Sequence, residues 1–303
     1  MDAKTLGKLL AFPVMTGVTF HIAAYVMQHV PVFFAASWRF GIAAVLMLLL
    51  LSAREGIRWE DMARNGRLYI CLGIIGVFGF NALFFQGMKE TMPVNGALIM
   101  ATNPLCTIFF ARLLLGVSIS YRQAFGAALS LLGVVLVITN GSWMLLRTLQ
   151  FSSGDLVIVL GNFCWALYGV LGRKYAGAVS SLALTSYTMA AGAACFLIGS
   201  ACFPAAVAPH TLPVGVWLGI GFMAVFTTVL GYLWWNEGMA VVGAERAAIF
   251  FNLVPVVAMG VSGLLGKGIT PSQVVGTMLV LGGVVLASGL LSHTPKILAA
   301  SNR

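Results

Sequence analysis

The chain repeats itself. The stretch from Phe84 to Leu136 returns as Trp235 to Leu286, first at an offset of 151 residues and then, after a one-residue gap, at 150. Gly87-Met88 falls on Gly238-Met239, Ala97 on Ala248 and Pro104 on Pro255. Beyond the gap Gln123 falls on Gln273, and Gly133-Val134-Val135-Leu136 on Gly283-Val284-Val285-Leu286. A weaker match at an offset of 149 precedes it in order, with Thr16-Gly17 on Trp165-Ala166 and Ser37-Trp38-Arg39-Phe40 on Ser186-Tyr187-Thr188-Met189. The whole chain therefore divides into two copies, residues 1–148 and 149–303. A repeat of this length limits the fold more than any single motif, because one unit must be used twice.

Which solvent the copies fold in follows from composition. The sequence is 60% hydrophobic and 8% charged, where a soluble domain carries about 25% charged residues. A surface that poor in charge cannot be covered in water, so the expected class is an all-α integral membrane protein. Ten apolar segments are long enough to cross a bilayer. They run roughly over 8–28, 33–52, 68–88, 94–115, 121–140, 154–173, 180–203, 214–236, 245–266 and 271–291. Lys4 and Lys8 precede the first, which is long enough to span rather than be cleaved.

Each copy then holds five helices. Five is odd, so the second copy enters the membrane the other way up, giving ten transmembrane helices as two inverted five-helix repeats. Basic residues test the orientation. With the N-terminus inside, thirteen Lys and Arg face the cytoplasm, among them Arg54, Arg58, Arg64, Arg67, Arg173, Lys174, Lys296 and Arg303. Lys89, Arg147 and Lys267 face out, and Arg39 lies within the second segment. Both termini are expected in the cytoplasm. The charged stretch from Arg54 to Arg67 reads as a connector.

Several function classes drop out. The basic residues lie in short connectors rather than one patch, so nucleic acid is not an expected partner. Five cysteines show no metal spacing, and no H-E-x-x-H or acidic cluster is visible, so neither a metal nor a cofactor is expected. Gly260-Val261-Ser262-Gly263 matches the G-x-S-G string of intramembrane proteases, yet the histidine after it, His293, lies past the last segment. The chain does not read as an enzyme. A channel stays open as an alternative, although no filter-like loop or charged ring is seen.

Ends and contacts have their own signals. Ser120-x-x-Gln123 and Thr270-x-x-Gln273 are capping boxes at matched places, Pro93 and Pro271 suit first helical turns, and Ser152 to Asp155 suits the start of the sixth segment. Gly126 and Gly133, Gly276 and Gly283, Gly215 and Gly219, and Gly260, Gly263 and Gly266 are spaced for close helix contacts.

Polar groups at membrane depth face a bundle interior or a cavity, because hydrocarbon satisfies none of their hydrogen bonds. Asn81 lies mid-segment with Phe78, Phe84 and Phe85 on its face. Asn162 and Trp165 share a face that Tyr168 extends. Asn103-Pro104 and Asn252-x-x-Pro255 put an amide beside a broken backbone in the fourth and ninth segments. Matched interruptions in two halves point to a transport site. His21, Tyr25 and Gln28 form one stripe on the outer half of the first segment, suited to a vestibule. Arg39 reads as bonding helix-end carbonyls or snorkelling outward, with attraction of a carboxylate as the other option.

Arg39-Phe40, Trp165-Ala166-Leu167-Tyr168, Gly231-Tyr232-Leu233-Trp234, Gly243-Ala244, Pro255 and Gly283-Val284-Val285-Leu286 resemble, in order and spacing, the drug/metabolite transporter superfamily in its EamA form. The resemblance covers nearly the whole chain. It implies ten helices, with one to four and six to nine around a central cavity and five and ten flanking it. Within the superfamily the chain looks most like bacterial exporters of amino acids, including aromatic ones, which implies the inner membrane. It departs from the family pattern where a glutamate often precedes the proline of the ninth helix: here stand Val254 and, at the matched place, Asn103. The frequent Gly-Glu pairs read Gly116-Val117 and Gly266-Lys267. No carboxylate is left mid-membrane for a proton relay.

The expected function is export of aromatic and other neutral amino acids, or related small metabolites, by alternating access. Other metabolites or drugs, such as nucleosides and cationic compounds, stay open as substrates. The expected substrate wall is Asn81, Phe84, Asn103, Trp165, Tyr168 and Asn252, with His21 and Tyr25 on the outer approach and Pro104 and Pro255 as hinges. A neutral lining of this kind favours a zwitterion over an anion. Partners are a small molecule and the bilayer; oligomeric state is not legible.

Overall fold

Ser120 begins a helix because its hydroxyl accepts from the Gln123 amide at 3.2 Å while the Gln123 side chain accepts from the Ser120 amide at 3.0 Å. Thr270 and Gln273 repeat the device at 3.4 and 3.0 Å, and Ser152 and Asp155 make a third at 3.3 and 2.7 Å. Each box satisfies amides that a helix start leaves without partners. The computed structural model describes residues 2–90, 93–149, 152–177, 179–203, 207–266 and 268–288. Lys267, His293, Lys296, Arg303 and the last three residues of the tenth apolar segment lie outside these.

Among the described residues the regular elements are all helical. In chain order they are α1 (Ala3–Met27), α2 (Val32–Arg54), α3 (Trp59–Gly87), α4 (Pro93–Ala101), α5 (Asn103–Leu115), α6 (Tyr121–Thr139) and the short α7 (Trp143–Arg147). Then come α8 (Ser153–Tyr175), α9 (Ser181–Cys202), α10 (Val214–Val242), α11 (Ala244–Leu264) and α12 (Pro271–Ser288). Eight of these are long and apolar enough to cross a membrane, and Asn103–Leu115 and Pro271–Ala287 are shorter apolar helices. Leu49, Leu113, Leu132 and Ile198 are among many large apolar side chains left exposed, a surface that suits lipid and not water.

Two boundaries differ from the sequence reading. The stretch from Glu60 to Arg67 is not a connector but the first turns of α3. There Asp61 accepts from the Asn65 side chain at 2.7 Å and from the Tyr69 hydroxyl at 3.2 Å, contacts that only helical spacing allows. The fourth segment is broken at Thr102 into α4 and α5. Pro104 has no N–H for the carbonyl of Met100, four residues back, so the turn before it opens. In α11 the turn Ile249–Asn252 tightens to 3-10 geometry just before Pro255, which lacks the N–H that an α-helix would offer the Phe251 carbonyl four residues back.

Two further irregularities had no signal in the hydrophobic pattern. Gly73–Gly79 of α3 and Met223–Leu230 of α10 are π-helical, and their starts lie 150 residues apart, the offset of the sequence repeat. Gly76 makes the first of these passable: a Cβ there would stand 2.3 Å from the ring of Tyr168, which lies on the α3 backbone.

The helices pair as α2 with α9, α3 and α5 with α8, α1 with α10 and α11, and α6 with α12. The last pair is held backbone to backbone. A Cβ at Gly133 would lie 2.5 Å from the Gly276 carbonyl oxygen, and one at Gly283 2.5 Å from that of Gly126. Gly219 meets Val26 and Ile22 of α1 closely, whereas Gly260 has nothing within 4 Å. Gly266 sits at φ +86°, where it ends α11 rather than packing a neighbour.

Candidate functional site

The interrupted helices meet around a cavity of about 370 Å³. Phe12 and Ala23 of α1 both line it, so it follows that helix for about 16 Å. Met100 and Phe251, whose carbonyls the two prolines deprive of a helical donor, are in its wall, and so is Pro255.

One end is an aromatic floor. Trp165 stands 5.0 Å from Phe80, 6.1 Å from Phe12 with rings nearly parallel, and 5.3 Å from Tyr232 edge-on. Offset and edge-on pairs of this kind favour the ring quadrupoles. Behind this layer Trp235 packs 4.5 Å from Phe12, and Tyr168 5.8 Å from Trp165. Beyond them lies a second cavity of about 300 Å³, lined by Asn236 and Arg173. Lys8 of α1 and Glu237 of α10 form an ion pair near this end, and Leu9 fills the space that a side chain at Gly238 would need. Arg173 donates to the carbonyl of Met239 at 3.0 Å and to that of Ala240.

One side of the wall is polar. Arg39 is 8% exposed, its guanidinium 4.9 Å above the Phe40 ring, and its Nε donates to the Thr228 hydroxyl at 2.8 Å. Asn81 donates to the Val77 carbonyl at 2.8 Å and to the Tyr232 hydroxyl at 3.2 Å. Thr19 and Thr227 share a hydroxyl-to-hydroxyl bond. The hydroxyl of Thr16 is buried with no hydrogen-bond partner among the described residues. The eight acidic residues of the chain are all absent from this wall. The π turns account for the geometry. Asn81 follows the π segment of α3 and bonds back into it, and Thr227 and Thr228 lie within that of α10.

Of the residues expected from sequence, Asn81, Phe84, Trp165 and Pro255 line the cavity. The others stand outside its lining. Asn103 donates to the Asn162 side chain at 2.7 Å, and Asn162 in turn donates to the Ile99 carbonyl at 2.9 Å, so the pair ties α5 and the α4 break to α8. Tyr168 accepts from the Asn236 amide at 2.7 Å. Asn252 donates to Ser130 of α6 at 2.9 Å, and its own side-chain oxygen is buried without a donor among the described residues. Pro104 is buried at the start of α5. His21 meets the Ser262 hydroxyl of α11 at 2.8 Å, and Tyr25 packs against His29 with ring centres 4.7 Å apart. Arg39 neither caps a helix end nor snorkels out; its presence makes the wall cationic, not neutral. Thr16, Thr19, Thr227 and Tyr232 were not singled out from sequence as wall residues; Thr227 lies within the π segment of α10 and Tyr232 just after it, where an unbroken 3.6-residue period misplaces the face, whereas Thr16 and Thr19 lie on the regular helix α1.

The sequence profile of the EamA-like transporter family matches residues 5–139 and 152–289. The chain is 48% identical over 283 residues to the uncharacterized transporter YyaM of Bacillus subtilis (strain 168), covering 93% of each chain. It is 24% identical to the "Probable terminal-alkyne amino-acid exporter" of Streptantibioticus cattleyicolor, over 80% of each chain. It is 23% identical to the "Probable amino-acid metabolite efflux pump" of Salmonella typhimurium, over 90% of this chain and 91% of that one. A crystal structure superposes with a TM-score of 0.80 over 96% of this chain and 99% of the other, at 21% identity, a likeness of fold alone.

Proposed function

The chain belongs to the EamA-like transporter family, a multi-pass membrane transporter, and we propose that it exports aromatic and other neutral amino acids, or related small metabolites, by alternating access. The observation that carries this reading is the cavity floored by Phe12, Phe80 and Trp165 with a polar side at Arg39, Asn81 and Tyr232. An apolar box beside a few convergent polar groups suits a small amphiphilic ligand. Asn81, Phe84 and Trp165 form the contact wall in this reading. Asn103, Tyr168 and Asn252 brace it, and His21 and Tyr25 flank the outer approach.

The proposed architecture is ten helices in two inverted repeats, residues 1–148 and 149–303, in the bacterial inner membrane with both termini cytoplasmic. The cavity then occupies the outer half of the bundle, since it runs from Phe12 toward the C-terminal end of α1. The layer of Trp165, Tyr168 and Trp235, backed by Lys8–Glu237, closes its inner end and supports a carrier over a continuous pore. Rocking of the halves at Pro104 and Pro255 would move the closure from one side to the other.

Counterflow in proteoliposomes tests this, with labelled phenylalanine, leucine and alanine. We expect exchange that saturates, and a Trp165→Ala protein that loses phenylalanine flux about tenfold more than alanine flux, as removal of an aromatic contact implies. Flux through wild type that neither saturates nor shows counterflow would refute the carrier. Equal losses across the three amino acids would remove Trp165 from the site.

A further inference from the structure

We propose that Arg39 is the carboxylate-binding residue of this cavity, and that its preferred ligands are aromatic or apolar monocarboxylates without a free ammonium group, such as desamino or N-acylated amino acids. The inference rests on the cavity being the transport site.

A buried cation persists where something compensates it. Among the described residues Arg39 has no acidic partner; the ion pair of the bundle is Lys8–Glu237. Thr228 holds its Nε, and Phe40 supports the face of the guanidinium. A guanidinium carries further N–H donors on its two terminal nitrogens, in a planar fork that fits both oxygens of a carboxylate. Asn81 already donates to the Tyr232 oxygen, which leaves the Tyr232 hydroxyl proton available to a ligand oxygen in the same wall.

The cavity is not built for an ammonium in the same way. The side-chain oxygen of Asn81 and the unpartnered hydroxyl of Thr16 can accept hydrogen bonds, but neither is an anion. The carboxylate of a zwitterion would pair with Arg39 but leave its ammonium uncancelled a few ångströms from the guanidinium. A monoanion neutralises the site, and the floor of Phe12, Phe80 and Trp165 takes its apolar body.

The test measures dissociation constants of the purified full-length chain in detergent by titration calorimetry at pH 7.5. The ligands are 3-phenylpropionate, N-acetyl-L-phenylalanine, L-phenylalanine and 2-phenylethylamine. We expect the two carboxylates to bind about tenfold or more tighter than phenylalanine, from the repulsion between two cations at this separation, and the amine to bind weakest. Arg39→Gln should weaken 3-phenylpropionate about 30-fold, as loss of a charged hydrogen bond implies. Arg39→Lys, which keeps the charge if the glutamine protein does not fold, should keep the order of ligands with weaker carboxylate binding. Phenylalanine binding as tightly as 3-phenylpropionate would overturn the inference and leave the transport site standing. Binding of the amine as tightly as the carboxylates would do the same, as would an Arg39→Gln or Arg39→Lys protein with an unsuitable order of affinities: unchanged in the first, carboxylates no longer ahead of the amine in the second. No binding of any of the four would overturn both readings.

Discussion

Gly133→Ala should destabilise the bundle although alanine is the better helix former. At Gly133 an added Cβ would lie 2.5 Å from the Gly276 carbonyl oxygen and 2.6 Å from the Val280 nitrogen, both backbone atoms that cannot rotate away. An ordinary contact begins at 3.4 Å, so α6 and α12 must part by nearly 1 Å. A gap of 0.5–1 Å forfeits about a quarter to a half of each dispersion contact along the seam, and overpacking of this kind costs about 1–3 kcal/mol. Gly41→Ala on α2 is the control, because nothing lies within 4 Å of its Cβ position. There the same substitution should stabilise by about 0.5–1 kcal/mol through helix propensity. Gly133 and Gly276 meet at one contact, so parting the helices once relieves both, and the double alanine should cost less than the sum of the singles. Unfolding in mixed micelles with rising SDS fraction, followed by tryptophan fluorescence, measures the two single alanines at Gly133 and Gly276, their double and the Gly41 control against wild type. If Gly133→Ala and Gly41→Ala shift the midpoint alike, or the double mutant is additive, the backbone contact does not hold the pair.

Asn103→Ala should lower stability by about 1–3 kcal/mol, since it takes the donor from the buried side-chain oxygen of Asn162, yet leave the dissociation constant of 3-phenylpropionate within about threefold, since Asn103 is not in the wall; a tenfold change in affinity at normal stability would return it there. Reporter fusions at His210 and after Arg303 should read outside and inside respectively, from the excess of basic residues on one side; a cytoplasmic signal at His210 would reverse the orientation.

The membrane class, the caps and the α6–α12 glycines were legible because each depends on short-range rules. Composition decides the solvent, a capping box spans three residues, and glycines seven apart share a helix face whatever the neighbours are. Trp165 and Asn81 were legible as cavity residues because a large ring and an amide at membrane depth need an interior. Asn103 and Asn252 carried the same signal for a different reason: one bonds Asn162, the other Ser130. A polar residue facing inward says that it has a partner, not whether that partner is protein or ligand. Arg39 was ambiguous because its partner Thr228 is 189 residues away, and the register of Thr228 depends on a π segment that no apolar periodicity announces.

Those π segments give the bundle a movable stitch. Each holds one residue more per turn than the helix around it. Sliding the extra residue along by one turn leaves both helix ends in place and rotates the residues it passes by about 100°. Asn81 sits just beyond the stitch of α3, and Thr227 and Thr228 sit within that of α10. A slip in α3 would carry the Asn81 amide off the wall. In α10 it would release both the Thr19 hydroxyl and the Arg39 guanidinium. A rotation of one helix about its own axis could thus strip the cavity of its polar side while every helix kept its length and neighbours, so that ligand release need not wait for the two halves of the molecule to swing apart.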